Sequence, residues 1–320
     1  GKRDPLWSRG LGDVYKRQEV YRRTLEGRLG LTRSLKRGVM NQAKSDVKKI
    51  VFTEGDHPTV IKAAAECIRE GICSPILLGR ESTIEEHKER LGLQFECEII
   101  DVRDDPRRKG KYSDILSEER ARKGVTRADA VRMLRSRTYF GSMMVASDDA
   151  DGLVGGIDRH YPDILRPCLH TIGTAPDVER LVGMYMMTIK GQLLFIGDAT
   201  INIYPDSQTL AEIAIETAKM ARRFGVKPIV AMLSFSNFGS SKEYRSTRIE
   251  DAIKIVKERD PSLIIDGPMQ ADTALVSDIQ EEYPFMTFNG PANVLICPNL
   301  AAANIGYKLL QRLGLSLIHI

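Results

Sequence analysis

The sequence lacks the features that would place the chain in a membrane or in an oxidising compartment. None of its apolar runs reaches the length of a membrane-spanning helix, and the most apolar stretches, such as Ile229–Leu233, have the length of buried strands. The five cysteines are odd in number, scattered and without CxxC spacing. This pattern argues against a disulfide framework and a structural zinc site, and it predicts a reducing, cytoplasmic location.

Three short motifs that would assign a cofactor or a reaction are also missing. There is no GxGxxG, so binding of a nicotinamide cofactor by this chain has no support. There is no GxxxxGK[ST] phosphate loop and no GxSxG nucleophile turn. The histidines, including His57 and His160, form no recognisable ligand pair. We therefore expect neither NADP nor a metal ion in this chain.

A strong excess of charge is missing as well. The formal net charge is +4, and residues 1–18 carry most of it, with five basic and two acidic side chains. Without that segment 42 basic and 41 acidic residues remain. The charge balance therefore gives no reason to expect a nucleic-acid partner.

What the sequence does contain is an alternation of short apolar runs with amphipathic helical patterns from Lys48 onward. This rhythm predicts an α/β fold of mostly parallel sheets with helices on both faces. Between Arg107 and Arg137 we expect two helical pieces, broken at Gly124, with Thr126 capping the second. The predicted strands are Lys49–Thr53, Pro75–Gly79, Cys97–Asp101, Gly152–Gly155, Leu181–Met187, Leu193–Gly197, Ile229–Leu233, Leu263–Ile265 and Val294–Cys297.

A serine-rich loop, Leu233–Ser241, follows one of these strands and is the strongest local signal. It holds four serines, an asparagine and a glycine. Backbone N–H groups at such a corner, surrounded by hydroxyl groups, suit phosphate oxygens or a carbonyl. The alternative is a helix-capping loop without a ligand.

Two further segments carry polar groups at predicted strand ends. Thr53–Asp56 could meet a polar ligand group there, or it could be a strand-ending turn with an aspartate cap. Gly152–Pro167 combines paired glycines with Arg159 and Arg166, which could fork onto a phosphate or instead form surface ion pairs.

Carboxylates that follow the later predicted strands raise the question of a divalent metal. Each of these residues is also a reasonable helix cap or turn residue, and we predict no metal site. They are Asp198, Asp266 and Asp272, with Asn202 and Gln270 beside them.

In this order, the segments resemble the phosphate acetyl/butyryl transferase family. The matching pieces are VFTEGD, ADGLVGG with a downstream LRP, LAEIAIETAKMARRFG before VAMLSFSNFGSS, IIDGPMQADTAL, and NVLICPNLAAANIGYKLLQRLG. Within the family, SNFGSS and the leader YRRTLEGRLGLTRSLKRGVMNQAK are most similar to the C-terminal domain of bacterial NADP-dependent malic enzymes. The resemblance covers about residues 19 to 314.

The resemblance implies a two-lobed, three-layer α/β/α fold of the isocitrate/isopropylmalate dehydrogenase type, with the second lobe inserted into the first. We expect lobe 1 over residues 48–143 and 290–315, lobe 2 over 144–289, and a helical linker over 19–47. Residues 1–18 and 316–320 resemble translated ends of sequencing reads, and we treat them as not native. The alternative is a disordered arm and a frayed tail.

The resemblance also implies a ligand and the residues that bind it. Active members move an acetyl group between CoA and inorganic phosphate, so acetyl-CoA or phosphate is the expected ligand. Arg120 and Arg166 match family arginines associated with CoA, and the remaining expected ligand-binding residues lie in or near the serine-rich loop. These are Ser234, Ser236, Asn237, Ser240 and Asn304.

Two departures from active members make catalysis by this chain doubtful. Arg159–Pro162 stands where those members carry a small Ser/Thr-Ala segment, and their catalytic serine, arginine and aspartate lie in a segment beyond Leu313 that we expect this chain to lack. The main hypothesis is therefore a regulatory acetyl-CoA-binding domain of a malic enzyme, whose NADP and Mg or Mn sites belong to upstream domains. The alternatives are a truncated phosphate acetyltransferase and a structural oligomerisation module. In each case we expect a homo-oligomer, a dimer or larger, and no membrane partner.

Overall fold

A computed structural model describes residues 37–176, 178–189, 192–240 and 244–313. These residues form two compact units, which we call the N-terminal unit, Gly38–Pro176, and the C-terminal unit, from Asp177 onward. Among the described residues, no helix is both long and apolar enough to cross a bilayer.

The N-terminal unit is built on a four-stranded parallel sheet in the order β3-β2-β1-β4. Its strands are β1 Lys48–Phe52, β2 Cys73–Leu78, β3 Glu98–Ile100 and β4 Gly152–Val154. Residues 37–45 are helical, and the further helices of this unit are α1 Pro58–Glu70, α2 Glu81–Leu91, α3 Lys111–Glu119, α4 Arg127–Met133, α5 Arg137–Ala146 and α6 Tyr161–Thr171, with 3-10 turns at Pro106–Arg108 and Ala121–Lys123.

Alternating side chains of the strands supply two separate cores. Val51 of β1 faces the core that α3, α4 and α5 cover, whereas its neighbour Phe52 faces the core beneath α1 and α2. Because successive side chains of a strand point to opposite faces, a short apolar run can serve both layers. The result is a three-layer unit whose strands all end on the same edge.

The C-terminal unit has a five-stranded sheet in the order β5-β6-β9-β7-β8, in which β5 is antiparallel to β6 and the other pairs are parallel. Its strands are β5 Met184–Ile189, β6 Gln192–Gly197, β7 Ile229–Leu233, β8 Ile264–Met269 and β9 Val294–Ile296. Its helices are α7 Ser207–Arg223, α8 Tyr244–Arg259, α9 Ala271–Leu275, α10 Ser277–Gln280 and α11 Leu300–Leu313. The first two cover one face of the sheet, and α9 and α11 cover the other.

The α/β class and the mostly parallel sheets predicted from the sequence are confirmed. Each predicted strand overlaps an observed one, and Thr126 caps α4 through a reciprocal pair of hydrogen bonds with Asp129. The insertion of one lobe into the other, and with it the isocitrate dehydrogenase-type arrangement, remains a prediction.

The strand pairing differs from the predicted lobe boundaries. Residues 144–176 belong to the N-terminal unit, because β4 pairs with β1 through Ile50 and Gly152. Residues 290–313 belong to the C-terminal unit, because β9 pairs with β6 and β7. The predicted linker at 19–36 and the predicted flanks, 1–18 and 316–320, lie outside the described residues.

Candidate anion-binding site

Two of the arginines predicted to bind a ligand lie in the N-terminal unit around one pair of hydrogen-bonded side chains. Arg120 ends α3, and its Nε is buried without a hydrogen-bond partner in the described part of the chain. Arg166 lies on α6, one helical turn before His170. Residues four apart on a helix share a face, so Arg166 and His170 project to the same side.

Tyr139 of α5 forms a hydrogen bond with His170 and so links α5 to α6. Its hydroxyl group lies 2.7 Å from Nδ1 of His170, and the two ring centroids are 5.9 Å apart. A tyrosine hydroxyl both donates and accepts, so it can pair with either neutral tautomer of the imidazole. Both rings are half-buried between α5 and α6.

The two arginines make this cluster electropositive. Burial lowers the pKa of His170, and the positive charges of Arg120 and Arg166 lower it further. Burial raises the pKa of Tyr139, while Arg166 and Arg120 act in the opposite direction. Neither arginine forms an ion pair with a carboxylate of the described residues. Two guanidinium groups without a counter-ion suit a bidentate anion such as a phosphate group.

The polar groups at the end of β1 serve the fold. The Glu54 carboxylate accepts the backbone N–H of Gly156 at 3.0 Å and the hydroxyl of Thr53 at 2.6 Å. Asp56 accepts two hydrogen bonds from Arg137, at 2.6 and 2.7 Å. Of the two alternatives for this segment, the structure supports the strand-ending turn.

The paired glycines after β4 have a similar role. A Cβ atom at Gly155 would overlap the hydroxyl of Thr53 and press on the Glu54 carboxylate. The chain therefore needs glycine there so that it can approach the end of β1, rather than to admit a ligand.

The serine-rich loop of the C-terminal unit is tied to the end of β8. Ser234 and Phe238 donate their N–H groups to the carbonyls of Met269 and Pro268, each at 2.8 Å. The Asn237 side chain accepts the Gln270 N–H at 2.7 Å, and its amide reaches the Gln270 side chain at 3.2 Å. Asn237 thus holds two loops together.

The other predicted residues of this unit, Ser236, Ser240 and Asn304, differ in their exposure and in their hydrogen bonds. The Ser236 hydroxyl is buried and has no hydrogen-bond partner among the described residues. Ser240 is exposed, and its N–H reaches the Asn237 carbonyl at 2.9 Å. Asn304 lies on α11, and its amide donates to the carbonyl of Ala199 at 3.3 Å.

A largely apolar cavity of about 830 Å³ opens beside this loop, at the carboxyl ends of β6, β7 and β9. Of the predicted residues, only Ser234 lines it, together with Phe235 of the same loop. Arg248 of α8 also reaches it and donates to the carbonyl of Pro298 at 2.7 Å.

The aspartates that follow the strands are engaged by the chain itself. The buried carboxylate of Asp198 accepts backbone N–H groups of Thr200, Ile201 and Asn202 at 2.8–3.1 Å. Asp266 accepts those of Gly267 and Thr287 at 2.8 and 2.7 Å. No group of three or more His, Cys, Asp or Glu side chains is placed to hold a metal ion within the residues the structure describes.

The structure therefore brings Arg120 and Arg166 together in one unit, and the serine-rich loop and Asn304 lie in the other. Tyr139 and His170, which complete the arginine cluster, are absent from the residues predicted from the sequence. The four-residue spacing of Arg166 and His170 was the available signal for one of them. Tyr139 lies close to residue 143, where we expected the first segment of lobe 1 to end.

Comparison with known proteins identifies similar chains of two kinds. The family model described as phosphate acetyl/butaryl transferase matches residues 34–318. The phosphate acetyltransferase of Bacillus subtilis is 39% identical over 274 residues, which cover 85% of this chain and 84% of that protein. The NADP-dependent malic enzyme of Rhizobium meliloti is 34% identical over 300 residues, or 92% of this chain but 39% of that enzyme.

Solved structures give the same result. A phosphotransacetylase from Streptococcus pyogenes superimposes with a TM-score of 0.83 at 35% identity, over 89% of each chain. This chain thus spans most of the length of the transacetylases and well under half of the malic enzyme.

Proposed function

Since the chain belongs to the phosphate acetyl/butyryl transferase family, we propose that its N-terminal unit binds the phosphate groups of an acyl-CoA at Arg120 and Arg166. The observation that carries the proposal is the pair of arginines without a described carboxylate partner, one of which has a buried, unpaired Nε. An unpaired buried donor is costly, and a phosphate oxygen would satisfy it.

The first form of this proposal is a regulatory acetyl-CoA-binding domain of an NADP-dependent malic enzyme. It is supported by the malic-enzyme match, which covers 92% of this chain, and by the departure from active transferases at Arg159–Pro162. In this form the malate reaction, with its NADP and its Mg or Mn ion, belongs to other domains of that polypeptide. A cytoplasmic location and a homo-oligomer are part of the same proposal.

The second form is acetyl transfer between CoA and inorganic phosphate. It is supported by the identity to the Bacillus subtilis phosphate acetyltransferase, which extends over 84% of that enzyme. Here Ser234 and Ser236 would meet the acyl or phosphate group, because hydroxyl and N–H donors stabilise charge that develops on oxygen.

Acetyl-CoA titration by calorimetry, beside an assay for acetyl phosphate formation, tests both forms. Binding without turnover supports the regulatory domain, and turnover supports the transferase. Failure to bind contradicts both and leaves the oligomerisation module.

The arginines are tested by removing one guanidinium group at a time. We expect R120M and R166M each to weaken acetyl-CoA binding about 10- to 100-fold, the range for a charge-assisted hydrogen bond. R122M is the matched control, because Arg122 is exposed and follows Arg120 by two residues. An equal effect of all three substitutions would contradict the assignment.

A further inference from the structure

The imidazole of His170 lies in the cluster that Tyr139, Arg120 and Arg166 form in the N-terminal unit. His170 belongs to α6 and contacts Tyr139 of α5. Arg120, at the end of α3, and Arg166, on its own helix, act on its charge. Among the described residues, the groups that act on it are thus one neutral hydroxyl and two permanent positive charges.

In the free protein this environment lowers the pKa of the imidazole and so disfavours its protonated form. Burial disfavours the charged form, and both guanidinium groups repel a third positive charge. An anion bound between the arginines offsets the second effect, because its negative charge compensates the two guanidinium charges and attracts an imidazolium. Protonation of His170 is then less unfavourable than in the free protein.

We propose that His170 is a further binding residue of this site, which takes up a proton when a phosphate-bearing ligand binds and then provides a third positive charge. This role rests on the function proposed above. The proton comes from the buffer, and no covalent bond is made or broken. Tyr139 is the positioning residue, since its hydroxyl oxygen accepts from the protonated ring and the 2.7 Å contact is kept.

The pH dependence follows from linkage. A group whose pKa is higher in the complex than in the free protein makes binding tighter as the pH falls from the bound pKa to the free pKa. Each unit of that rise corresponds to about a tenfold gain in affinity. We therefore expect tighter binding at about pH 6 than at about pH 8, in the range where histidine titrates.

The probe must keep its own charge over this range. A phosphate monoester titrates near pH 6 and would obscure the effect, so the 3′-phosphate of CoA is unsuitable. Dephospho-CoA carries only a diphosphate diester, which stays fully ionised. Calorimetric titration at about pH 6, in two buffers of different ionisation enthalpy, counts the protons taken up on binding. We expect a substantial fraction of one proton.

The matched variant is H170N, which keeps a hydrogen-bonding group near the position of Nδ1 and cannot titrate. We expect it to bind dephospho-CoA without proton uptake and with a flat pH profile. Y139F should retain part of the proton uptake with a shifted midpoint, since the arginines remain.

A second measurement does not depend on a variant folding. NMR titration of the His170 ring in the unmodified chain should give a low pKa without ligand and a higher one with dephospho-CoA. Binding without proton uptake, or equal uptake by H170N, overturns the role of His170 and leaves the proposed function in place. No binding of dephospho-CoA at any pH overturns both.

Discussion

Asp56 and Arg137 show how a single ion pair fixes the edge of the N-terminal sheet. The two hydrogen bonds from Arg137 lower the pKa of the Asp56 carboxyl below its usual 3.8, although burial acts in the opposite direction. Both side chains are about 30% exposed, so the pair is screened less than a surface pair and desolvated less than a buried one.

We expect R137M to lower the free energy of unfolding at neutral pH by about 1–3 kcal/mol, the range for hydrogen bonds between charged groups. Because the folded pKa of Asp56 is depressed, this contribution is present above the unfolded pKa of about 3.9 and is lost as the pH falls through the folded value. Urea unfolding from neutral to acid pH measures the difference. R137K is the control, since it keeps the charge but not the two-pronged contact. A difference that does not change with pH would refute the assignment.

Ser236 presents the opposite case, a buried hydroxyl without a described partner. We expect S236A to leave the free energy of unfolding unchanged or to raise it, because no hydrogen bond is lost and the cost of burying an unpaired hydroxyl is removed. The same substitution should weaken acetyl-CoA or phosphate binding about 2- to 10-fold, the contribution of one neutral hydrogen bond.

Ser142 provides the comparison for that experiment. It is also buried, but its hydroxyl donates to the Thr138 carbonyl at 2.8 Å. S142A should therefore cost about 1 kcal/mol of stability. Equal destabilisation by the two substitutions would show that the Ser236 hydroxyl has a partner within the protein.

At the scale of single residues, the sequence pointed to some groups of the cluster and not to others. Arg120 and Arg166 were selected because the family resemblance implies arginines that bind CoA at these positions. Tyr139 matters only because α5 and α6 pack together, and no local pattern reports which helices touch. Asn237 was assigned to the ligand, but its amide links two loops, which depends on where Gln270 lies in space.

Among the elements, the turn that follows β1 passes so close to β2 that Gly55 tolerates no side chain. A Cβ atom at Gly55 would lie 2.7 Å from the backbone nitrogen of Leu78 and 2.9 Å from the Leu77 carbonyl carbon. Backbone atoms cannot move aside as the end of a flexible side chain can. We therefore expect G55A to destabilise the N-terminal unit by about 1–3 kcal/mol or more, measured by urea unfolding.

Gly306 is the matched site for the same change. It lies inside α11, and a Cβ atom there would meet nothing within 4 Å. Alanine is the better helix former, so G306A should stabilise the C-terminal unit by about 0.5–1 kcal/mol. Destabilisation by G306A, or neutrality of G55A, would contradict the packing described here.

The strands were predictable because short runs of β-branched and apolar residues, with glycine or polar residues at each end, are typical of buried strands. Helix α5 was not, because the sequence around Arg137–Ser147 mixes polar and small side chains with apolar ones. The structure buries Thr138, Gly141 and Ser142 along with Phe140, so the polarity of the stretch does not match its environment. Small polar residues bury easily when their hydroxyl groups bond to the helix backbone.

At the scale of the whole molecule, the described residues of each unit form a sheet and a core of their own. Both core clusters of the N-terminal unit, and every strand pair of its sheet, fall within residues 38–176. We expect a fragment of these residues to unfold cooperatively in urea and to lose the same free energy on R137M substitution as the whole chain. A fragment that binds hydrophobic dyes and unfolds without a cooperative transition would contradict this expectation.

The division between the units could not be predicted, because it depends on pairing between distant strands. Residues 152–154 join a strand that lies about a hundred positions earlier, and residues 294–296 insert between two earlier strands. A sequence pattern shows that a segment is a strand, but it does not show its neighbours. The class of fold was therefore accessible from the sequence, whereas the boundaries of the units were not.

The central position of β9 has a consequence for how the protein is made. A ribosome delivers the chain from its N-terminus, so the first sheet has all four of its strands once residue 154 has emerged. The second sheet has a gap between β6 and β7 until residue 296 follows. About a hundred residues separate β6 from β9. While they are being synthesised, β6 and β7 keep unpaired edges and exposed apolar surface, to which chaperones or strands of other chains can bind. Slow translation before β9 should therefore reduce the soluble yield of the second unit and spare the first.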